Sequence, residues 1–96
     1  MFKVTPTAYD MLLKLVDEQK QSADEKLFIR AEMGLGWGGP QLRLALEEQP
    51  LDSDQVVEVK DLRFLINELD QVYFENTKLD LVKDVFGIER FTIIRL

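Results

Sequence analysis

Leu27-Phe28-Ile29-Arg30-Ala31-Glu32-Met33 runs into Gly34-Leu35-Gly36-Trp37-Gly38-Gly39-Pro40 and on into Gln41-Leu42-Arg43-Leu44-Ala45-Leu46, and this stretch sets the architecture. Leu27, Ile29, Ala31 and Met33 alternate with Phe28, Arg30 and Glu32, the period-two pattern of a strand with an inner and an outer face. Four of the chain's five glycines then crowd into six positions, Gly34 to Gly39, and Pro40 closes the run. Such a cluster reads as a loop. Leu42, Leu44 and Leu46 alternate with Gln41, Arg43 and Ala45. Gln, Leu, Arg, Ala and Glu are also good helix formers, but the alternation favours a second strand.

Working toward the N-terminus, Lys20 to Lys26 holds no large apolar residue and reads as a surface loop. Ahead of it, Ala8, Met11, Leu12, Leu15 and Val16 recur at helical spacing, with Asp10, Lys14, Asp17 and Glu18 on the other side. Thr5 is the expected N-cap and Pro6 the first helical residue, and the helix should run to about Gln19. Phe2 and Val4 precede it as a short strand. Toward the C-terminus, Gln49 to Gln55 has turn composition, and Val56 to Lys60 returns as a strand. From Asp61 to Asn76, Phe64-Leu65-Ile66 has the look of a buried strand and Glu68 to Phe74 of one or two helical turns; one longer helix is the alternative. Leu79 and Leu81 lead to Val85 and Phe86, with a turn marked by Gly87. Phe91 to Leu96 is rich in strand formers. A mainly β domain with minor α, spanning residues 1–96, is expected.

Composition excludes more than it assigns. The 96 residues are 46% apolar and 31% charged in short blocks, as in an ordinary globular domain. The net charge of −6 opposes a phosphate backbone, so nucleic acid is not an expected partner. No apolar run is long enough to cross a bilayer, and Met1-Phe2-Lys3-Val4 lacks the regions of a signal peptide, so the cytoplasm is the expected location and a membrane is not an expected partner. There is no Cys, hence no thiolate nucleophile or thiolate metal site, and no His, the usual general base and imidazole ligand. Chemistry would fall to carboxylates, Lys, Tyr and hydroxyls, and the expectation is that the chain is not an enzyme and holds no cofactor.

The candidate interaction loop is Gly34, Gly36, Trp37, Gly38, Gly39 and Pro40. Its letters match G-x-G-x-x-G, but that fingerprint needs a helix to follow, and a strand is expected instead. Trp37, the only tryptophan, is either a core plug or an exposed anchor for a partner. The backbone N–H groups of Gly34 to Gly39 could alternatively form a nest for an anion or small molecule. Glu47, Glu48, Asp52 and Asp54 are hard oxygen ligands at close spacing, but they lack the order of a calcium loop and are expected to be solvated hairpin charges.

The helix opening Val4-Thr5-Pro6-Thr7-Ala8, the strand-loop-strand from Leu27 to Glu48, and Leu79-Asp80-Leu81-Val82, similar to an L-D-[FY]-V segment, together resemble the HesB/IscA-like (A-type carrier) family over nearly the whole chain. The resemblance implies a flattened double-sheet pseudo-barrel or sandwich with an N-terminal helix and a short second helix. It also implies a first cluster-ligand cysteine in a G-C-S-G loop, where Gly36-Trp37-Gly38-Gly39 stands here with Trp37 at the cysteine's place. A C-terminal C-x-C is implied beyond the last strand, where this chain has only Ile94-Arg95-Leu96. Cluster iron is held by thiolate, so the fold transfers and cluster carriage on cysteine does not. The resulting expectation is a non-catalytic protein-interaction or accessory module beside iron-sulphur cluster assembly, with an unidentified protein partner. A homo-oligomer is compatible with it.

Overall fold

The computed structural model describes residues 1–37 and 39–96. Its elements follow the order β1 (Phe2–Val4), α1 (Pro6–Gln19), β2 (Phe28–Gly36), β3 (Gly39–Glu47), β4 (Asp54–Val59), β5 (Leu62–Asn67), α2 (Gln71–Phe74), β6 (Thr77–Lys83) and β7 (Glu89–Arg95). They form a three-stranded sheet ordered β1-β6-β7 and a four-stranded sheet ordered β3-β2-β5-β4. The pairs β1–β6 and β2–β5 are parallel, and the other neighbours are antiparallel. The mainly β reading and both helices are thus found. The stretch from Asp61 to Asn76 is a strand followed by a short helix, not one longer helix. That helix starts at Gln71 because Glu68 to Asp70 is a turn, closed by Asp70 N–H donating to Asn67 O at 2.8 Å.

Thr5 fixes the entry to α1 and its attachment to the smaller sheet together. Its Oγ1 accepts from Ala8 N–H at 3.3 Å and donates to Asp80 Oδ1 at 2.7 Å, while its own N–H donates to Leu79 O at 2.9 Å. Pro6 follows at the first helical position, where a missing N–H costs nothing. The helix buries Ala8, Leu12 and Val16, four residues apart, against Ile29, Leu62, Phe64 and Leu79 from both sheets. Leu15 is left at the rim. At the other end of the core the Phe2 ring meets Phe64 at 5.3 Å and Phe74 at 5.8 Å, both edge to face. Such contacts add about 0.5–1.5 kcal/mol each beyond area burial. Phe2 belongs to the smaller sheet, Phe64 to the larger and Phe74 to α2, so one ring joins three elements.

The outer face of the larger sheet departs from expectation. Arg30 does alternate away from Ile29 and Ala31, but it is only 9% exposed. Asp54, expected as a solvated hairpin charge, has a side chain with no exposed area. The two form a bidentate pair, Nη1 to Oδ1 at 2.7 Å and Nη2 to Oδ2 at 2.6 Å, and Arg30 Nε also donates to Glu47 Oε2. Arg30 lies on β2 and Asp54 on β4, with β5 between them. The guanidinium therefore spans two strand spacings, roughly 10 Å, across Leu65, its ladder neighbour on β5. Leu65 is fully buried under it although it points away from the main core. Asp54 further accepts from Leu51 N–H at 2.7 Å and from Asn67 Nδ2 at 3.3 Å, which shapes the turn before β4.

The hydrogen bonds from Arg30 hold the Asp54 carboxyl down to about 2 against the opposing effect of its burial, with the Leu51 N–H adding to them. The same bond to Asp54, more than that to Glu47, pushes Arg30 above its ordinary value. Asp54→Ala, which leaves the Arg30 guanidinium with Glu47 alone, should cost about 1.5–3 kcal/mol in urea denaturation at pH 7. Because the folded-state value lies below the ordinary 3.8, Asp54's contribution is complete above that pH and is lost as pH falls toward about 2. The acid limb of the wild-type stability curve should accordingly steepen in that window, and in Asp54→Asn that part of the slope should vanish.

Candidate functional site

The glycine-rich segment is a hairpin tip. β2 and β3 pair without interruption from Phe28↔Glu47 to Gly36↔Gly39, leaving only Trp37 and Gly38 to connect them; Gly38 lies outside the described residues. Gly39 has φ +116°, which a side-chain-bearing residue would adopt only under strain. Gly34 and Gly36 serve a different need. A Cβ at Gly34 would fall 2.6 Å from Arg43 Nε, and one at Gly36 would fall 2.4 Å from Gln41 Cδ. The bare backbone thus lets two β3 side chains lie flat across β2, and Gln41 Nε2 donates to Trp37 O at 3.3 Å from that position.

The hairpin carries apolar side chains past the core. Met33 and Leu42 still pack inside it, but Leu35 is 85% exposed and Trp37 is 99% exposed. Trp37 is therefore a projecting side chain and not a core plug. Pro40 stands opposite Leu35. As a residue without an N–H it suits a pair that makes no ladder bonds. Gly34, Gly36 and Gly39 sit in the pairs Gly34↔Gln41 and Gly36↔Gly39 on either side of the unbonded Leu35↔Pro40, so their N–H groups are taken up by the ladder and the described part of the loop offers no convergent set of free donors for an anion nest. A strand, not a helix, follows Gly39, and the dinucleotide fingerprint has no helix to serve it.

A second apolar projection lies at the β6–β7 hairpin, where Val85, Phe86 and Ile88 are exposed. Asp84 organises it: Oδ1 accepts from Phe86 N–H at 2.8 Å and Ile88 N–H at 3.1 Å, and Oδ2 accepts from Arg90 at 3.4 Å. The backbone bonds to Ile88 and Phe86 hold the Asp84 carboxyl below the usual carboxylate range. Gly87 takes φ +78° to close the turn. Sequence reading located this turn through Gly87 but missed its rigidity. An Asp two and four residues ahead of free N–H groups was the available clue.

The oxygen-ligand reading of residues 47–54 is not assembled. Glu47 and Asp54 are both taken by Arg30, and among the described residues no group of three His, Cys, Asp or Glu is placed to hold a metal ion. The carboxylates displaced in titration, Asp54 and Asp84, both move down. A general acid working at neutral pH needs the opposite displacement. Among the described residues no helix is long and apolar enough to cross a membrane.

With this geometry in place, comparison with known proteins is decisive for ancestry. The model of the family described as iron-sulphur cluster biosynthesis matches residues 1–90. The chain belongs to that family. Solved structures agree on the fold. IscA, crystallised with its [2Fe-2S] cluster, superposes with TM-score 0.74 at 19% identity, covering 99% of this chain and 82% of that one. SufA of Escherichia coli, described as involved in biosynthesis of iron-sulfur clusters, gives 0.77 at 17% identity over 98% and 84%. The solution structure of a protein from Aquifex aeolicus gives 0.77 at 26% identity over 99% and 91%. No curated protein matches the chain in sequence. Within this family frame, the 96 residues contain neither Cys nor His, and an exposed Trp37 tips the hairpin where the resemblance places a first cysteine.

Two measurements check the two projections. Trp37 emission in the free protein should sit at the fully solvated maximum and be quenched freely by iodide, while Trp37→Ala should move stability by less than about 0.5 kcal/mol. Asp84→Ala should accelerate amide exchange at Phe86 and Ile88 and leave the global denaturation midpoint near that of the wild type.

Proposed function

We propose that this protein is a non-catalytic accessory module of iron-sulphur cluster assembly, acting by protein contact through the Gly34–Pro40 hairpin and not by carrying a cluster on cysteine. The observation that supports it most is Trp37, held 99% exposed on a register-locked hairpin in a member of a cluster-assembly family. Exposing a large aromatic ring to water has a cost that a partner's pocket would recover, and Trp is the side chain most enriched at binding hot spots. Thiolate ligation is unavailable to these 96 residues, and imidazole cannot replace it. The hairpin supplies shape and an apolar anchor at the position where the family resemblance places a first cysteine.

The test has two arms. Anaerobic incubation with ferrous iron and sulphide should give no visible cluster absorbance, and a stable chromophore would overturn the reading. Co-purification with cluster-assembly proteins should succeed for the wild type, blue-shift Trp37 emission, and weaken at least tenfold in Trp37→Ala. Equal recovery with both forms, or none with either, would also overturn it.

A further inference from the structure

The two sheets leave a seam between them. β3 is an edge of the larger sheet and β7 an edge of the smaller, and no ladder joins them. Between them and α1 lies a slot of about 310 Å³. Leu12, Val16 and Ile29, all buried, form its floor, and Leu15, Leu44, Leu46 and Phe91 its walls. Among the described residues Gln19 is the one polar side chain on it. That volume is on the order of ten waters, yet so apolar a lining offers them few partners.

The slot also reaches hydrogen-bonding backbone. Ala45 borders it, although Ala45 pairs with Arg30 and its side chain belongs to the opposite face of the sheet. It meets the slot through the main chain of the β3 edge. Gly36↔Gly39 closes the two-residue connection as a hydrogen-bonded pair, so the next pair, Leu35↔Pro40, makes no ladder bonds, a position that suits a residue with no N–H. By alternation Leu42, Leu44 and Leu46 also turn their N–H and C=O away from β2, toward this seam. A ligand in the slot therefore finds a hydrocarbon interior, one carboxamide, and unpaired edge N–H and C=O groups at its border. Among the described residues no Asp, Glu, Lys or Arg lines it, so an ionised head group drawn inside would lose its hydration without an ion partner.

The geometry points to a small-molecule site in this seam for a medium-length hydrocarbon bearing one uncharged hydrogen-bonding group, of the fatty-alcohol or primary-amide class. Mostly apolar clefts of this size with a few polar groups at their border are the usual form of such sites. It is separate from the Trp37 hairpin and does not depend on the role proposed for it. The tail packs on Leu12, Val16 and Ile29, and the head group meets Gln19 and the β3 edge.

The probe is 1-octanol, titrated into ¹⁵N-labelled protein with octanoate as the charged control. Saturable shifts centred on the amides of Leu15, Gln19, Leu44, Leu46 and Phe91 are expected, with octanoate at least tenfold weaker at pH 7. Leu15→Trp, a change at the half-open rim that fills the slot, should abolish the shifts while the fold persists. Gln19→Leu, at an exposed position, should weaken octanol roughly twofold to tenfold, the worth of one hydrogen bond. Non-saturating or dispersed shifts, binding that survives Leu15→Trp, octanoate as tight as octanol, or no loss in Gln19→Leu would each overturn the assignment.

Discussion

One guanidinium holds the larger sheet together on the side where there is no second layer. Arg30 reaches from β2 over Leu65 of β5 to the Asp54 carboxylate on β4, and grips Glu47 of β3 on its way. All four strands are thereby tied by one side chain. Burying such a pair is expensive, and the desolvation is offset here because both carboxylate oxygens of Asp54 and three guanidinium nitrogens are hydrogen-bonded. The turn before β4 depends on the same carboxylate through Leu51. The opposite face needs no such device, since Ile29, Ala31, Phe64 and Ile66 meet α1 and the smaller sheet there in the ordinary apolar way.

This division of labour leaves the parts able to meet other molecules outside the load of folding. The described residues of the β2–β3 hairpin tip and the β6–β7 turn project past the core, yet each turn is shaped for a local reason, ladder register in one and an Asp carboxylate in the other. The seam between β3 and β7 exists because two sheets with different strand counts share one helix without closing into a barrel. Family membership accounts for the frame. It does not account for the occupant of the ligand loop, which in this chain is an indole.

Much of the frame was legible in the residues. Thr5-Pro6 and the alternation from Leu27 to Met33 each have one strong local reading, and each was found as read, whereas the glycine cluster, read as a loop, is mostly paired strand, with Gly34 and Gly36 on β2 and Gly39 and Pro40 on β3. Asp61 to Asn76 was ambiguous for a physical reason. Leu65 is apolar on the outward face, which breaks the period-two signal, and only the Arg30–Asp54 bridge overhead explains why it can be buried there. The bridge itself was illegible, because its two ends are 24 residues apart and each looks like an ordinary surface charge. For the candidate loop, the sequence left Trp37 poised between core and solvent. The choice is made by how far the ladder runs beyond the core, a tertiary length that no local pattern encodes.

Pro40 carries a consequence for how such a tip is tolerated in a crowded solution. A nine-residue edge strand, β3, carrying Leu42, Leu44 and Leu46 and ending beside the exposed Leu35 and Trp37, has the makings of a template for intermolecular sheet growth and aggregation. At Pro40 the outward-facing position of β3 has no N–H to offer, so a foreign strand approaching the most apolar part of the edge finds the ladder broken at its first rung. The residue that ends the glycine cluster is thus a gatekeeper. It allows the indole to be displayed without the display becoming a seed.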